Sequence, residues 1–392
     1  MKIADVAEFY AERGGGVRTY IHQKFEAGAR EGHEIVIIAP GPEDKVETRE
    51  GGRIIWLKGP PTPVDKRYYV LYREKAIHQI LTEEAPDIVE GSSPWQGGWF
   101  AARWKGDAVK SLIFHSDPVA IYAQTFLDRF LGSERVDNFF SFYWKYLASL
   151  GERYDTTICS GQWLADKLTR FGIPRAQAVP FGIDKHFFSP ELADEGMRTR
   201  LLEACGVGPD AKLLITVSRF HPEKRLGTLF KGFKEASRSR DMGLVIFGDG
   251  PFRKIYGRQA EKIPNVHIAG FTKNREELAT AMASADAMLH GSASETYGLV
   301  IAESICSGTP VIVPDVGGAA DLAGPDYAEI YPPGDAKACA RAIDRMFTRD
   351  QGAMAEGLDK ARNARIGTMA DHFKQLFEVY GTLSEQKKSG KS

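Results

Sequence analysis

Lys2 to Ala39, KIADVAEFYAERGGGVRTYIHQKFEAGAREGHEIVIIA, is the stretch from which the fold class of the chain is read. Lys2 to Phe9 predicts a first strand. Gly14-Gly15-Gly16 then supplies a turn into a helix with Val17, Tyr20, Ile21, Phe25 and Gly28 on one face. Gly32-His33 closes that helix, and Glu34 to Ala39 (EIVIIA) forms a short apolar strand. A strand, a glycine loop, a helix and a second strand in such a short span make a β-α-β unit, whose strands pair in parallel.

Similar apolar runs recur at Asp87-Ile88-Val89, Ser111 to His115, Thr156 to Cys159 and Ala176 to Pro180, so residues 1–185 read as one Rossmann-like domain. Ser189-Pro190, several acidic residues and Gly206-Val207-Gly208-Pro209 break the pattern, and 186–211 reads as a linker with a short helix. A second series follows over 212–350, with strands at Leu213 to Phe220, Gly243 to Phe247, Val266 to Ala269, Ala287 to His290 and Pro310 to Val313. The expected class is α/β, with two doubly wound Rossmann-like domains facing a central cleft. Ile366, Met369, Phe373, Leu376, Phe377 and Tyr380 give 351–383 the face of a C-terminal helix that crosses back to the first domain. Residues 384–392 (SEQKKSGKS) have the composition of a disordered tail.

The bulk numbers agree with this division. A chain of 392 residues suits two domains, and 43% hydrophobic with 26% charged residues is a globular balance. Lys plus Arg total 51 against 52 for Asp plus Glu, so no general field draws the chain to nucleic acid, and any anion site must be local. Cys159, Cys205, Cys306 and Cys339 lie far apart without zinc spacing and read as buried thiols. Met1-Lys2-Ile3-Ala4-Asp5 meets an acidic residue before any long apolar run, which predicts a cytoplasmic location, and no run is long enough to span a bilayer.

The densest chemical signal is Gly291 to Val311, GSASETYGLVIAESICSGTPV. Glu295 precedes a helix and Glu303 lies within it, so the two carboxylates suit successive parts of one elongated ligand. Thr296, Tyr297, Gly298 and Leu299 begin the helix in this reading, where unpaired amides favour a phosphate oxygen. Carboxylates beside an anion site make sense for a polyol diphosphate: they accept hydrogen bonds from hydroxyls while amides hold the phosphates. His115 ends an apolar strand and is followed by Ser116-Asp117-Pro118, at the carboxyl edge where open α/β sheets bind ligands.

The same segment resembles the glutamate-pair signature (E-x7-E) of the large retaining GT-B glycosyltransferase family that uses nucleotide-sugar donors, the group 1 type of family 4. The likeness extends to Val217-Ser218-Arg219-Phe220-His221-Pro222-Glu223-Lys224-Arg225 and to Phe247-Gly248-Asp249-Gly250-Pro251. It also covers Gly14-Gly15-Gly16-Val17-Arg18 and Val179-Pro180-Phe181-Gly182-Ile183-Asp184, and so nearly the whole chain. The resemblance implies that Arg219 and Lys224 grip the donor diphosphate and that Gly15 and Gly16 face the donor. It also implies that His115, and with it Asp117, lies near the donor sugar, and that configuration is retained. Glu303 is then expected on the ribose and Glu295 on the sugar ring, where Glu295, His115, Arg219 and Lys224 would serve the reaction.

No D-x-D sequence occurs and no ligand group has metal spacing, so no cofactor or metal is expected beyond the nucleoside-diphosphate sugar itself, whose base, UDP or GDP type, stays open. Expected partners are this donor and a lipid or saccharide acceptor, in the assembly of a cell-surface glycolipid or polysaccharide. Aromatic clusters at Pro94 to Phe100 and Phe139 to Tyr146 could stack on sugars. The second, with Arg129, Arg135 and Lys145, could also lie on the cytoplasmic face of a membrane. Rival readings are a nucleotide-sugar epimerase, a sugar phosphorylase, a dehydrogenase, for which Gly14-Gly15-Gly16 lacks the G-x-G-x-x-G register, and a non-catalytic nucleotide-sugar-binding protein.

Overall fold

The computed structural model describes residues 1–12, 15–63, 65–114, 117, 119 and 133–390. They form two compact units. One comprises the described residues of Met1–Ser116, Phe140–Pro180 and the C-terminal stretch from Met369; the other comprises those between Asp117 and Phe139 together with Phe181–Thr368.

The first unit is built on eight strands: β1 Lys2–Val6, β2 Glu34–Gly41, β3 Lys45–Arg49, β4 Gly52–Lys58, β5 Ile88–Gly91, β6 Val109–Phe114, β7 Thr156–Cys159 and β8 Ala176–Ala178. Their order is β3-β4-β2-β1-β5-β6-β7-β8, parallel except where β3 returns against β4. Ile3 of β1 sits opposite Ile35 of β2 and Ile88 of β5. Alternate side chains feed two cores: Ile3, Ile35 and Ile37 pack with Phe25 and Phe377, whereas Ala4, Val36 and Ile38 pack with Ile77 and Leu81. Burial on both faces is why these strands read as unbroken apolar runs. The β3–β4 hairpin had no such signature. KVETR is a polar edge strand with one buried neighbour, and its exposed residues carry no alternation strong enough to mark it.

The second unit has six parallel strands, β9 Lys212–Val217, β10 Met242–Phe247, β11 Val266–Gly270, β12 Ala287–Leu289, β13 Val311–Pro314 and β14 Ala328–Tyr331, in the order β11-β10-β9-β12-β13-β14. β14 was not anticipated, because AEIY is short and carries a charge. Its Glu329 is satisfied by Arg345 Nε (2.6 Å) and Arg349 Nε (2.7 Å) from beyond the strand.

Three expected boundaries differ. Residues 186–211 are no free linker: Phe188, Met197, Leu201 and Leu202 are buried in the second core, and the helix Glu195–Ala204 is capped by Asp194, which accepts from Met197 N at 2.6 Å. The single helix expected over 351–383 is two, Gln351–Lys360 and Met369–Lys388, interrupted by a π turn at Ala361–Arg365. The chain straightens at Ile366, and Gly367 O accepts from Ile183 N at 2.9 Å. Met354 and Leu358 of the earlier helix pack in the second core, whereas Phe373, Leu376, Phe377 and Tyr380 of the later one pack in the first.

The later helix also runs through Ser384 to Lys388, so the disordered tail expected there is helical; Lys387 Nζ donates to Ala108 O at 2.9 Å. Tyr380 pins this helix deep in the first unit. Its hydroxyl donates to Glu90 Oε1 (2.7 Å) and contacts Ser111 Oγ (3.1 Å), while Lys24 pairs with Glu90 and with Asp5 (3.1 Å).

Candidate functional site

In the second sheet the chain leaves β9 towards β10 on one side and later returns to β12 on the other, so β9 and β12 flank the switch point where open α/β sheets bind ligands. The loop after β9 carries Arg219 and Lys224; the loop after β12 carries His290 and Glu295. A Cβ on Gly291 would lie 2.7 Å from Lys224 O, so only glycine lets the two loops meet this closely.

Their meeting builds a charged cluster. Lys224 Nζ donates to Glu295 Oε1 at 2.6 Å, and His290 Nε2 lies 3.3 Å from the same oxygen. His290 is buried, and its carbonyl accepts from the Tyr331 hydroxyl at 2.6 Å, which fixes the loop from β14. Burial would raise the Glu295 carboxyl, but the Lys224 charge and the adjoining His290 ring outweigh it and hold the group well below the usual carboxylate range. Glu295 is therefore an ionised acceptor at every physiological pH. Arg219 is 62% exposed and donates to the buried Glu223 at 3.2 Å, so its guanidinium is anchored at one corner and open at the rest.

Glu303 lies in the helix Leu299–Cys306 and contrasts with Glu295. Among the described residues no protein group hydrogen-bonds its carboxyl. Burial pushes its pKa up to about 7 against the pull of the Arg275 guanidinium. An acceptor left unsatisfied in a partly buried position is what a hydroxyl-bearing ligand would complete. The helix itself starts later than expected: Gly298 takes a left-handed φ of 96°, which a side chain would strain, and the first bonded amide is Ile301, to Gly298 O at 2.9 Å. Thr296 and Tyr297 are loop residues. The Tyr297 ring is buried edge-on to Phe181 (5.9 Å), whereas Leu299 is exposed at the helix start.

In the first unit, Gly15 caps the helix Gly16–Arg30, and a Cβ on Gly15 or Gly16 would meet open space. His115 and Gly14 lie outside the described residues, as does Arg129. Asp117 is buried and belongs with the second unit. Of the aromatic stretch, Tyr143 and Trp144 are core, while Phe139 (72%) and Phe142 (65%) are exposed, as are Arg135 and Lys145. The four cysteines are buried free thiols.

The sequence reading passed over His290, Glu223 and Tyr331. His290 had a signal, because it ends a strand at the carboxyl edge, as His115 does. Glu223 stood inside the quoted loop motif without a role of its own, and nothing in the sequence marked Tyr331, whose partner His290 is 41 positions away.

Two doubly wound sheets, one with a lysine-clamped carboxylate and an open guanidinium at its switch point, define the GT-B class of glycosyltransferase. Residues 14–187 match the model of Glycosyltransferase Family 4, and residues 198–364 match that of Glycosyl transferases group 1. A GDP-mannose-dependent alpha-mannosyltransferase of Mycobacterium tuberculosis is 30% identical over 333 residues, which cover 83% of this chain and 82% of that protein. The chain belongs to the group 1, family 4 glycosyltransferases.

A GDP-mannose-dependent alpha-(1-6)-phosphatidylinositol dimannoside mannosyltransferase of the same species is 27% identical over 318 residues, 80% of this chain and 79% of that one. Among solved structures, sucrose-phosphate synthase from Thermosynechococcus elongatus shares the fold with a TM-score of 0.73 at 21% identity, covering 98% of this chain and 99% of that one. Among the described residues no helix is long and apolar enough to cross a membrane.

Proposed function

We propose that this glycosyltransferase moves mannose from GDP-mannose, with retention of configuration, to a glycolipid or saccharide acceptor. The observation that carries the donor half is the opposite state of two carboxylates, Glu295 clamped and ionised by Lys224, Glu303 half-buried with no hydrogen bond from the described residues. Glu303 accepts from the ribose hydroxyls, and Glu295 from the sugar. Arg219, Lys224 and the amides at Gly298 and Leu299 receive the diphosphate. The choice of GDP-mannose rests on the names of the similar mycobacterial enzymes.

In this reading the bond from the anomeric carbon to the diphosphate oxygen breaks with its electron pair going to the diphosphate, where Arg219 and Lys224 meet the growing charge. The acceptor hydroxyl bonds to the same face of that carbon, and its proton passes to the departing phosphate oxygen. Two fixed cations take the part a divalent metal plays elsewhere. Phe139, Phe142, Arg135 and Lys145 support contact with an anionic bilayer, where a lipid acceptor would be found.

The test is thermal stabilisation by GDP-mannose, UDP-glucose and UDP-galactose, followed by transfer from the best donor to mannosylated lipid and free saccharide. Stabilisation and transfer with GDP-mannose are expected. Preference for a UDP-sugar refutes the donor assignment, and binding without transfer or hydrolysis refutes an enzyme.

A further inference from the structure

The turn that follows β9 sends two neighbouring side chains in different directions. Pro222–Lys224 forms a single 3-10 turn closed by Arg225, whose φ of 48° is left-handed and whose N donates to Pro222 O at 3.0 Å. Lys224 reaches Glu295 at 2.6 Å, whereas Glu223 faces Arg219, whose Nη2 donates to Glu223 Oε1 at 3.2 Å. Each of the two cations thus has a carboxylate of its own. They differ in exposure: the Lys224 side chain is 19% exposed and that of Arg219 62%.

The Glu223 side chain is 6% exposed, and burying a carboxylate costs free energy that a neutral residue would not. The turn is held without it. Its backbone is closed at Arg225 and tied to the loop after β10, with Phe220 N donating to Asp249 O at 2.8 Å and Phe252 N to Phe220 O at 3.2 Å. Nor does a carboxylate beside a diphosphate site add attraction, since its charge repels the ligand. His221 Nδ1, 3.7 Å from the same oxygen, is too distant to hydrogen-bond. That leaves Arg219 as the group on which Glu223 acts. An exposed arginine otherwise samples many rotamers, and having to order it weakens binding.

We propose that Glu223 is a positioning residue, holding one arm of the Arg219 guanidinium so that its remaining N–H groups meet the donor diphosphate already oriented. This rests on the chain holding a nucleotide sugar as described above. The sign of the effect separates this role from plain electrostatics. Removing a negative charge beside an anion site tightens nucleotide binding if the field alone matters, and weakens it if Glu223 aims Arg219.

The test titrates the full chain with GDP and UDP by calorimetry and takes whichever wild type binds more tightly, for E223Q, E223M, R219A and the two double variants. E223M keeps the length of the side chain and has no oxygen, so it should bind about tenfold more weakly. E223Q, whose amide oxygen still accepts from Arg219, should lose about threefold. In the R219A background either change should shift affinity by less than about twofold. Circular dichroism and melting temperature show which variants are folded, and E223Q carries the cycle if E223M is not.

Unchanged or tighter binding by the Glu223 variants that keep Arg219 overturns the proposal. So does an equal loss with and without Arg219, which would make Glu223 a prop of the loop. A wild type that binds GDP or UDP while its variants give either result sinks this proposal alone. A wild type that binds neither overturns the transferase reading and this one with it.

Discussion

Glu303→Gln should make the free protein more stable above pH 7 while weakening its hold on the donor. The folded carboxyl titrates at about 7 instead of the ordinary 4.5, because burial disfavours its charge. Between those values the folded chain keeps a proton that the unfolded chain has released, so stability falls as pH rises from about 4.5 to about 7, and the whole cost is present above 7. The full displacement corresponds to about 3 kcal/mol. Partial exposure and relaxation of the site reduce what glutamine recovers to about 1–2 kcal/mol. For a unit of roughly 200 residues each kcal/mol moves Tm by about 2–4 °C. The variant should therefore melt about 2–8 °C higher at pH 8 and together with wild type near pH 4.

The donor titration should run the other way. Ribose hydroxyls donate to the ionised form, so wild-type affinity for GDP should rise with pH up to about 7 and then level off. Glu303→Gln should bind roughly ten- to a hundredfold more weakly at pH 8, the loss of one charge-assisted hydrogen bond, with a flat profile. Calorimetric melts and GDP titrations from pH 4.5 to 8.5 read both. A lower Tm at pH 8 would mean that Glu303 is a satisfied structural carboxylate. An unchanged GDP affinity would remove it from the ribose.

Glu295→Ala should lower kcat more than it raises the donor KM and should leave GDP titration alone, since free GDP lacks the sugar; equal weakening of GDP binding in this variant and in Glu303→Ala contradicts the placement. Lys224→Met leaves the Glu295 charge with His290 as its remaining neighbour, and urea unfolding should register a loss of about 2 kcal/mol, together with a collapse in transfer. EDTA should leave transfer intact, because Arg219 and Lys224 supply the positive charge; a loss restored by manganese or magnesium refutes this.

The parts of the fold legible in sequence are those buried on both sides. β1, β2, β5, β9, β10 and β13 are apolar runs because successive residues of each are buried on both faces, and their residues could be found by hydrophobicity alone. β3 and β14 escaped for the opposite reason, one being a solvated edge and the other carrying Glu329, whose charge is cancelled only by Arg345 and Arg349. The end of the second unit was misplaced because a helical periodicity continues in phase from Gln351 to Tyr380, and periodicity does not report which core each turn enters.

The same limit governs the site. Arg219, Lys224, Glu295 and Glu303 were legible as residue types in a family pattern, yet the pattern treats the two glutamates alike. What separates them is set by residues distant in sequence. Lys224 stands 71 positions before Glu295 and reaches it because Gly291 admits the lysine loop, while His290 is steadied by Tyr331, 41 positions later. Glu303 has only the Arg275 charge to set against burial, and burial prevails. One carboxylate is thus held charged by Lys224 and His290 and the other pushed up by burial, and a ligand that presents hydroxyls to both makes up only the deficit at Glu303.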